Sequence, residues 1–156
     1  MRIADMCIKV SGIDEIIKQL KEETQKVIEE VATELSKIGE EVVKGIVNGE
    51  TSSWNDQTGN LRSSVGYIVT KDGEVKDEGG FQSYAGATDG SSRGKEFARS
   101  LIYLYPKGLA LIIVAGMEYA AYVEAMENKT VLAQGELEAK RLIDEMMRKL
   151  NQQYSK

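Results

Sequence analysis

The chain has 156 residues, 42% of them hydrophobic and 29% charged, and a formal net charge of −5 from 25 acidic and 20 basic side chains. That is about one domain's worth of an ordinary globular mix, neither disordered nor fibrous, and its acidic balance argues against a grip on nucleic acid built by neutralising phosphates. Histidine is absent, which excludes Ser-His and Cys-His nucleophiles, imidazole metal ligation and a histidine pH switch.

Cys7 is the only cysteine, so the chain holds neither an internal disulfide framework nor a thiol-based zinc cluster, and Cys7 reads as a small buried hydrophobe. The longest apolar run, residues 109–116, is strand-sized and far short of the roughly 18 to 20 residues that span a bilayer. The first residues, Met1-Arg2-Ile3-Ala4-Asp5-Met6, lack the pattern of a secretory signal, so the host cytoplasm is the expected first location.

In chain order, residues 3–10 alternate as a half-buried strand does, with Met6, Ile8 and Val10 on one side and Cys7 and Lys9 on the other. Ser11-Gly12 ends that strand. From Ile13 the apolar residues recur at three- and four-residue intervals through Ile46, which predicts one long helix over residues 14–47. At 1.5 Å per residue it spans about 50 Å, more than one domain of this size needs, so part of it is expected to meet a partner. Gly39 and Gly45 mark either a bend or a close crossing of another backbone. Asn48-Gly49 stops the helix, and the polar stretch up to Arg62 reads as an ordered loop because it carries Trp54.

Residues 64–70, with Val65, Tyr67 and Val69, predict a strand, and Lys71-Asp72-Gly73 a hairpin turn. The glycine-rich stretch at about 72–99 shows no clean period and reads as a long mobile loop with a weak strand near residues 80–85. Residues 101–105 and 109–115, joined by Pro106-Lys107-Gly108, predict a core hairpin. A short helix follows over residues 118–126. A longer one over 131–150 carries Leu132, Leu137, Leu142, Ile143, Met146, Met147 and Leu150 on its apolar face. The fold class is therefore α+β: a long N-terminal helix and a C-terminal helix packed on an antiparallel sheet of about four strands, in a single domain over residues 1–156.

Three segments, in this order and spacing, resemble the siphophage tail-completion or neck family, whose members join head and tail. Ile8-Lys9-Val10-Ser11-Gly12-Ile13-Asp14-Glu15-Ile16-Ile17 is similar to the family's opening strand, glycine turn and helix. Trp54-Asn55-Asp56-Gln57-Thr58-Gly59-Asn60-Leu61-Arg62-Ser63-Ser64 closely resembles its Thr-Gly-x-Leu-Arg-x-Ser signature. Glu118-Tyr119-Ala120-Ala121-Tyr122-Val123-Glu124 looks like its Tyr-Ala-x-Tyr-Val-Glu segment. Two features depart from the pattern: the glycine-rich stretch is longer than usual, and Ala125-Met126 stands where Gly-Thr commonly follows. The resemblance implies a virion structural subunit that forms a ring with itself, in the manner of a hexamer, at the head-tail junction. Its expected partners are portal or head connector proteins and tail tube or tail terminator proteins. Genome DNA would pass through the lumen without specific binding, and no membrane, cofactor, metal or catalytic residue is implied.

Read as plain chemistry, Thr58-Gly59-Asn60-Leu61-Arg62 is a turn: a hydroxyl for nearby backbone, a glycine free to take positive φ and an anchoring leucine. A phosphate cradle there would need a following helix N-terminus or a P-loop lysine. Arg62 suits a two-pronged tie to a carboxylate such as Glu124, or a neighbouring subunit. Asp56, Glu118, Glu124 and Glu127 read as surface acids before they read as a magnesium or acid-base site. Tyr119 and Tyr122 share a helix face and suit core or interface packing better than stacking on nucleic acid, because basic neighbours are missing. Met126, Met146 and Met147 suit a core stripe. Besides the structural subunit, two functions stay open: a helix-mediated interaction module or antitoxin-like regulator, and a carboxylate-dependent hydrolase.

Overall fold

The structure is a computed structural model, and it describes residues 12–49, 57–117, 120 and 131–155. The expected N-terminal strand, Trp54 and the predicted helix over 118–126, apart from Ala120, lie outside the described residues. Contacts divide the chain into two units, residues 1–31 and 32–156.

The described part of the first unit is the start of α1, Ile13–Val47, a helix unbroken through both Gly39 and Gly45. Asp14 and Glu15 lie in its first turn and Lys44 in its last, each suited to the helix dipole. Residues 14–26 are exposed all round, and the apolar Ile16, Ile17 and Leu20 are 57%, 43% and 58% exposed.

In the second unit the stripe of α1 becomes core, with Leu35, Ile38, Val42, Val43, Ile46 and Val47 buried. A one-turn helix α2, Asn60–Ser63, leads into β1, Val65–Lys71. β1 pairs antiparallel with β2, Glu74–Gly80, and with β3, Leu109–Ala115, in the order β2-β1-β3. Between β1 and β2 stand Asp72 (φ 52) and Gly73 (φ 80), the two positive φ values that a type I′ hairpin demands. The Asp72 carboxylate accepts from the Gly108 N–H at 2.7 Å and from Lys71 Nζ at 2.6 Å. Those bonds hold its carboxyl below the usual carboxylate range, the lysine first, and tie this turn to the one before β3.

β1 is buried on both faces. Tyr67 and Leu111 meet α1 at Gly39, where an added Cβ would stand 2.6 Å from the Tyr67 ring. Gly39 therefore marks a close crossing and not a bend. The opposite face is a cluster of Ile68, Phe81, Ala98, Ile112 and Val114, with Leu101 and Ile102 against it. Helix α3, Gly90–Ser100, supplies Ala98 and covers that face. The last helix, α4, Ala133–Tyr154, sets Gly135 on Val42 and Ile46 of α1.

The α+β class holds, with three strands among the described residues where about four were expected. The difference is residues 101–105, expected as a strand but folded as a 3₁₀ turn, Ile102–Leu104. Leu104 and Tyr105 donate backwards to Leu101 and Ile102 at 3.1 and 2.9 Å. A short apolar run does not fix its own period, and only Leu101 and Ile102 find core here. The stretch 72–99 is also not one long loop: it holds β2 at its start and α3 at its end, and the weak strand expected near 80–85 falls at Glu74–Gly80 instead. α4 runs four residues past the expected end at 150, and two residues assigned to its apolar face, Leu137 and Met147, are 68% and 46% exposed, while Met146 is buried.

Tyr67 gives the sheet a pH signature. Its hydroxyl donates to the Asp77 carboxylate at 3.1 Å, and burial first, then that bond, push its pKa from 10.0 to about 12. The raised value favours the neutral phenol in the folded state. This stabilisation is complete below about pH 10 and is lost as pH climbs towards about 12. Urea unfolding across that window should show a stability loss approaching 1.4 kcal/mol per pH unit that Tyr67→Phe removes; identical slopes in the two proteins would refute the assignment.

Candidate functional site

In the family-like segment Thr58–Ser64, Gly59 precedes the one-turn helix at φ 75, a left-handed conformation that an L side chain rarely adopts. A Cβ on Gly59 would also meet the Ala85 carbonyl oxygen at 2.8 Å. Thr58 Oγ1 accepts the Asn60 N–H at 3.4 Å, a weak turn contact. The Ser63 hydroxyl donates to the Gly59 carbonyl at 2.7 Å and accepts the Tyr84 N–H at 2.9 Å, and the Ser64 hydroxyl donates to the Leu61 carbonyl at 2.7 Å. Leu61 is 1% exposed and anchors the turn in the core.

Asn60 has the widest reach. Its side-chain oxygen accepts N–H groups of Thr88 at 2.8 Å, Gly90 at 3.2 Å and Asp89 at 3.3 Å, while its side-chain nitrogen donates to Thr88 Oγ1 at 3.2 Å. Asp89 is the N-cap residue of α3 yet makes no side-chain cap of its own, so Asn60 caps the helix from another part of the chain. A helix N-terminus leaves donors unsatisfied, and a carboxamide oxygen meets that need. The turn thus fills with its own side chain the amide cluster that an anion would otherwise take.

α3 lies close enough for this cap because its buried face is Gly90, Gly94 and Ala98, spaced by four. A Cβ on Gly94 would stand 2.8 Å from both Phe81 Cδ1 and Ser64 Cα. The Ser91 hydroxyl donates to the Phe81 carbonyl, and the Gly116 N–H donates to the Ser64 carbonyl at 3.2 Å. The end of β3, the signature turn and α3 are thereby held in one knot. Asn60→Ala should cost about 1–2 kcal/mol in chemical denaturation and speed amide exchange in the first turn of α3; unchanged exchange there would contradict the cap.

Of the residues singled out in the sequence, Thr58, Gly59, Leu61, Arg62 and Ser64 come together here. Ala120 is buried, with its N–H donating to the Met117 carbonyl at 2.9 Å. Trp54, Tyr119, Tyr122, Val123 and Glu124 lie outside the described residues, as do Asp56 and Glu127. Arg62 is half-buried with its guanidinium 5.6 Å from the centre of the Tyr84 ring, within the range of a cation–π contact. Sequence reasoning missed Asn60, whose partners lie 28 to 30 residues away. The available signal was a polar side chain inside a turn ahead of a Thr-Asp-Gly helix start.

Among the described residues no group of three or more Cys, Asp or Glu side chains could hold a metal ion, and no helix is long and apolar enough to cross a membrane. The Thr58, Asn60, Ser63 and Ser64 side chains of the turn bond to backbone, an arrangement that builds shape.

Neither the curated proteins nor the solved structures give a match to the chain. A family model described as "Bacteriophage HK97-gp10, putative tail-component" matches residues 14–125, a span that takes in α1, the signature turn, the whole sheet and α3. The chain belongs to the HK97-gp10-like family of phage tail components.

Proposed function

We propose that the protein is a non-enzymatic subunit of the phage neck, one domain that assembles with its own copies into a ring, completes the tail and joins it to the head connector. The observation that carries this reading is the family match together with the use of the signature: Asn60, Ser63 and Ser64 spend their polar atoms on backbone of the same chain. A subunit of this kind works by geometry, so rigidity at the turn is what selection would hold. Its partners are its own copies, portal or head connector proteins, and tail tube or terminator proteins. The net charge of −5 suits a lumen past which DNA slides without sticking. Immunogold labelling of purified particles tests the location: label at the head-tail junction is expected, and label confined to the tail tip or the capsid would overturn it.

A second reading draws on the exposed Ile16, Ile17 and Leu20. A helix-mediated interaction module or antitoxin-like regulator would use that stripe to pair with a partner helix. A stable complex outside the virion, with the protein missing from particles, would favour it.

A further inference from the structure

The two edges of the sheet are built differently. β2 carries Glu74, Lys76, Asp77 and Glu78, and its register with β1 slips between Val69 and Thr70. Charge and a bulge are devices that keep an edge from pairing with another chain. β3 has neither: its seven residues, Leu-Ala-Leu-Ile-Ile-Val-Ala, are uncharged, lack proline and run against β1 without a slip. Among the described residues no strand pairs with the far side of β3.

That open edge borders a groove. Residues 111–113 line a cavity of about 430 Å³, with Ala139 and Ile143 of α4 on one side and Leu101 and Tyr105 on the other. Consecutive strand residues point to opposite faces of a sheet, so a cavity touching all three lies alongside the strand and not over one face. A cavity of this form takes a single extended segment that hydrogen-bonds to β3 and sends alternate side chains to the two walls.

We propose that the groove receives residues 3–10 of a second copy of this chain as an added strand. The segment is eight residues long against seven in β3. Its sequence alternates, with Met6, Ile8 and Val10 for the α4 wall and Cys7 and Lys9 for the side of Leu101 and the half-exposed Tyr105. Passed from each copy to the next, the contact is heterologous and repeats around a closed ring. The inference rests on the self-assembly in the proposed function and names the surface that carries it.

Cys7 is the only thiol in the chain, which makes the test direct. Tyr105→Cys and Ala110→Cys, each introduced singly into the full chain, are oxidised over a series of protein concentrations. The expected result is a ladder of disulfide-linked oligomers that disappears when Cys7→Ser is added. A fast-migrating monomer with an internal disulfide would show that the groove takes its own chain's N-terminus and would overturn the exchange. Light scattering on the full chain and on a variant lacking residues 3–10 separates the remaining outcomes. Loss of the oligomer on deletion supports the exchange. An oligomer that survives deletion, with no cross-link at either position, overturns the inference and leaves the ring reading standing. A full chain that stays monomeric at every concentration, also without cross-links, overturns both.

Discussion

Gly94→Ala should be among the most destabilising single changes available in this chain, at about 2–4 kcal/mol, although it adds one methyl group to a helix and alanine is the better helix former. The intrinsic gain of about 1 kcal/mol is outweighed because the new Cβ would sit 2.8 Å from the Phe81 ring and from Ser64 Cα, with the Gly116 backbone pressed on Gly94 from another side. Backbone cannot rotate away as a flexible side chain can, so α3 must lift off the sheet or α2 must move. Glu96→Ala, on the exposed face of the same helix, is the control and should stay within about 0.5 kcal/mol of the parent. Urea denaturation of the three proteins decides it; a neutral or stabilising Gly94→Ala would mean that α3 does not approach the turn so closely.

Leu61→Ala is the second large effect, expected at about 2–5 kcal/mol. Leu61 is 1% exposed and sits in the one-turn helix between Gly59 and Ser64. Removing its side chain leaves a cavity beneath the turn that positions the Asn60 cap. The loss should therefore couple to α3: the Leu61→Ala and Asn60→Ala effects should be non-additive by at least about 0.5 kcal/mol in a double-mutant cycle. Strict additivity would say that the turn and the cap are independent, which would remove the argument that the signature is one structural unit.

The parts of the fold that were readable in the sequence are those where large apolar side chains set the period. The stripe of α1 from Leu35 to Val47, the alternation in β1 and the Lys71-Asp72-Gly73 turn each state their geometry locally. α3 was not readable that way because its buried face consists of Gly90, Gly94 and Ala98. A search for large apolar residues passes over it, and glycine counts against a helix. The glycines serve close approach, and the four-residue spacing was the clue. Residues 101–105 misled for the opposite reason: they are apolar enough for a core strand, yet Tyr103 is 76% exposed and Leu104 52%. In the candidate site the turn itself was legible from Thr58-Gly59, while the Asn60 contacts, made across 28 to 30 residues, depend on the tertiary fold.

The stability of the knot and the role of the molecule are linked through rigidity. A structural component of a phage tail has to present fixed surfaces to its neighbours, and here α2, α3 and the ends of β1 and β3 meet through backbone-to-backbone packing and one shared carboxamide. Large apolar residues left at the surface include Ile16, Ile17 and Leu20 of early α1, Phe97 on α3, and Tyr103 and Tyr105 in the stretch after α3. Exposed apolar residues in such number suit a protein that works in contact with others.

The central claim is tested most directly by electron microscopy of lysates from a phage or induced prophage whose copy of this gene is disrupted, with the intact gene supplied in trans as the control. The account predicts free heads and free tails, or tails with unfinished ends, restored to joined virions by the supplied gene. Normal, infectious, fully joined particles from the disrupted gene would contradict it.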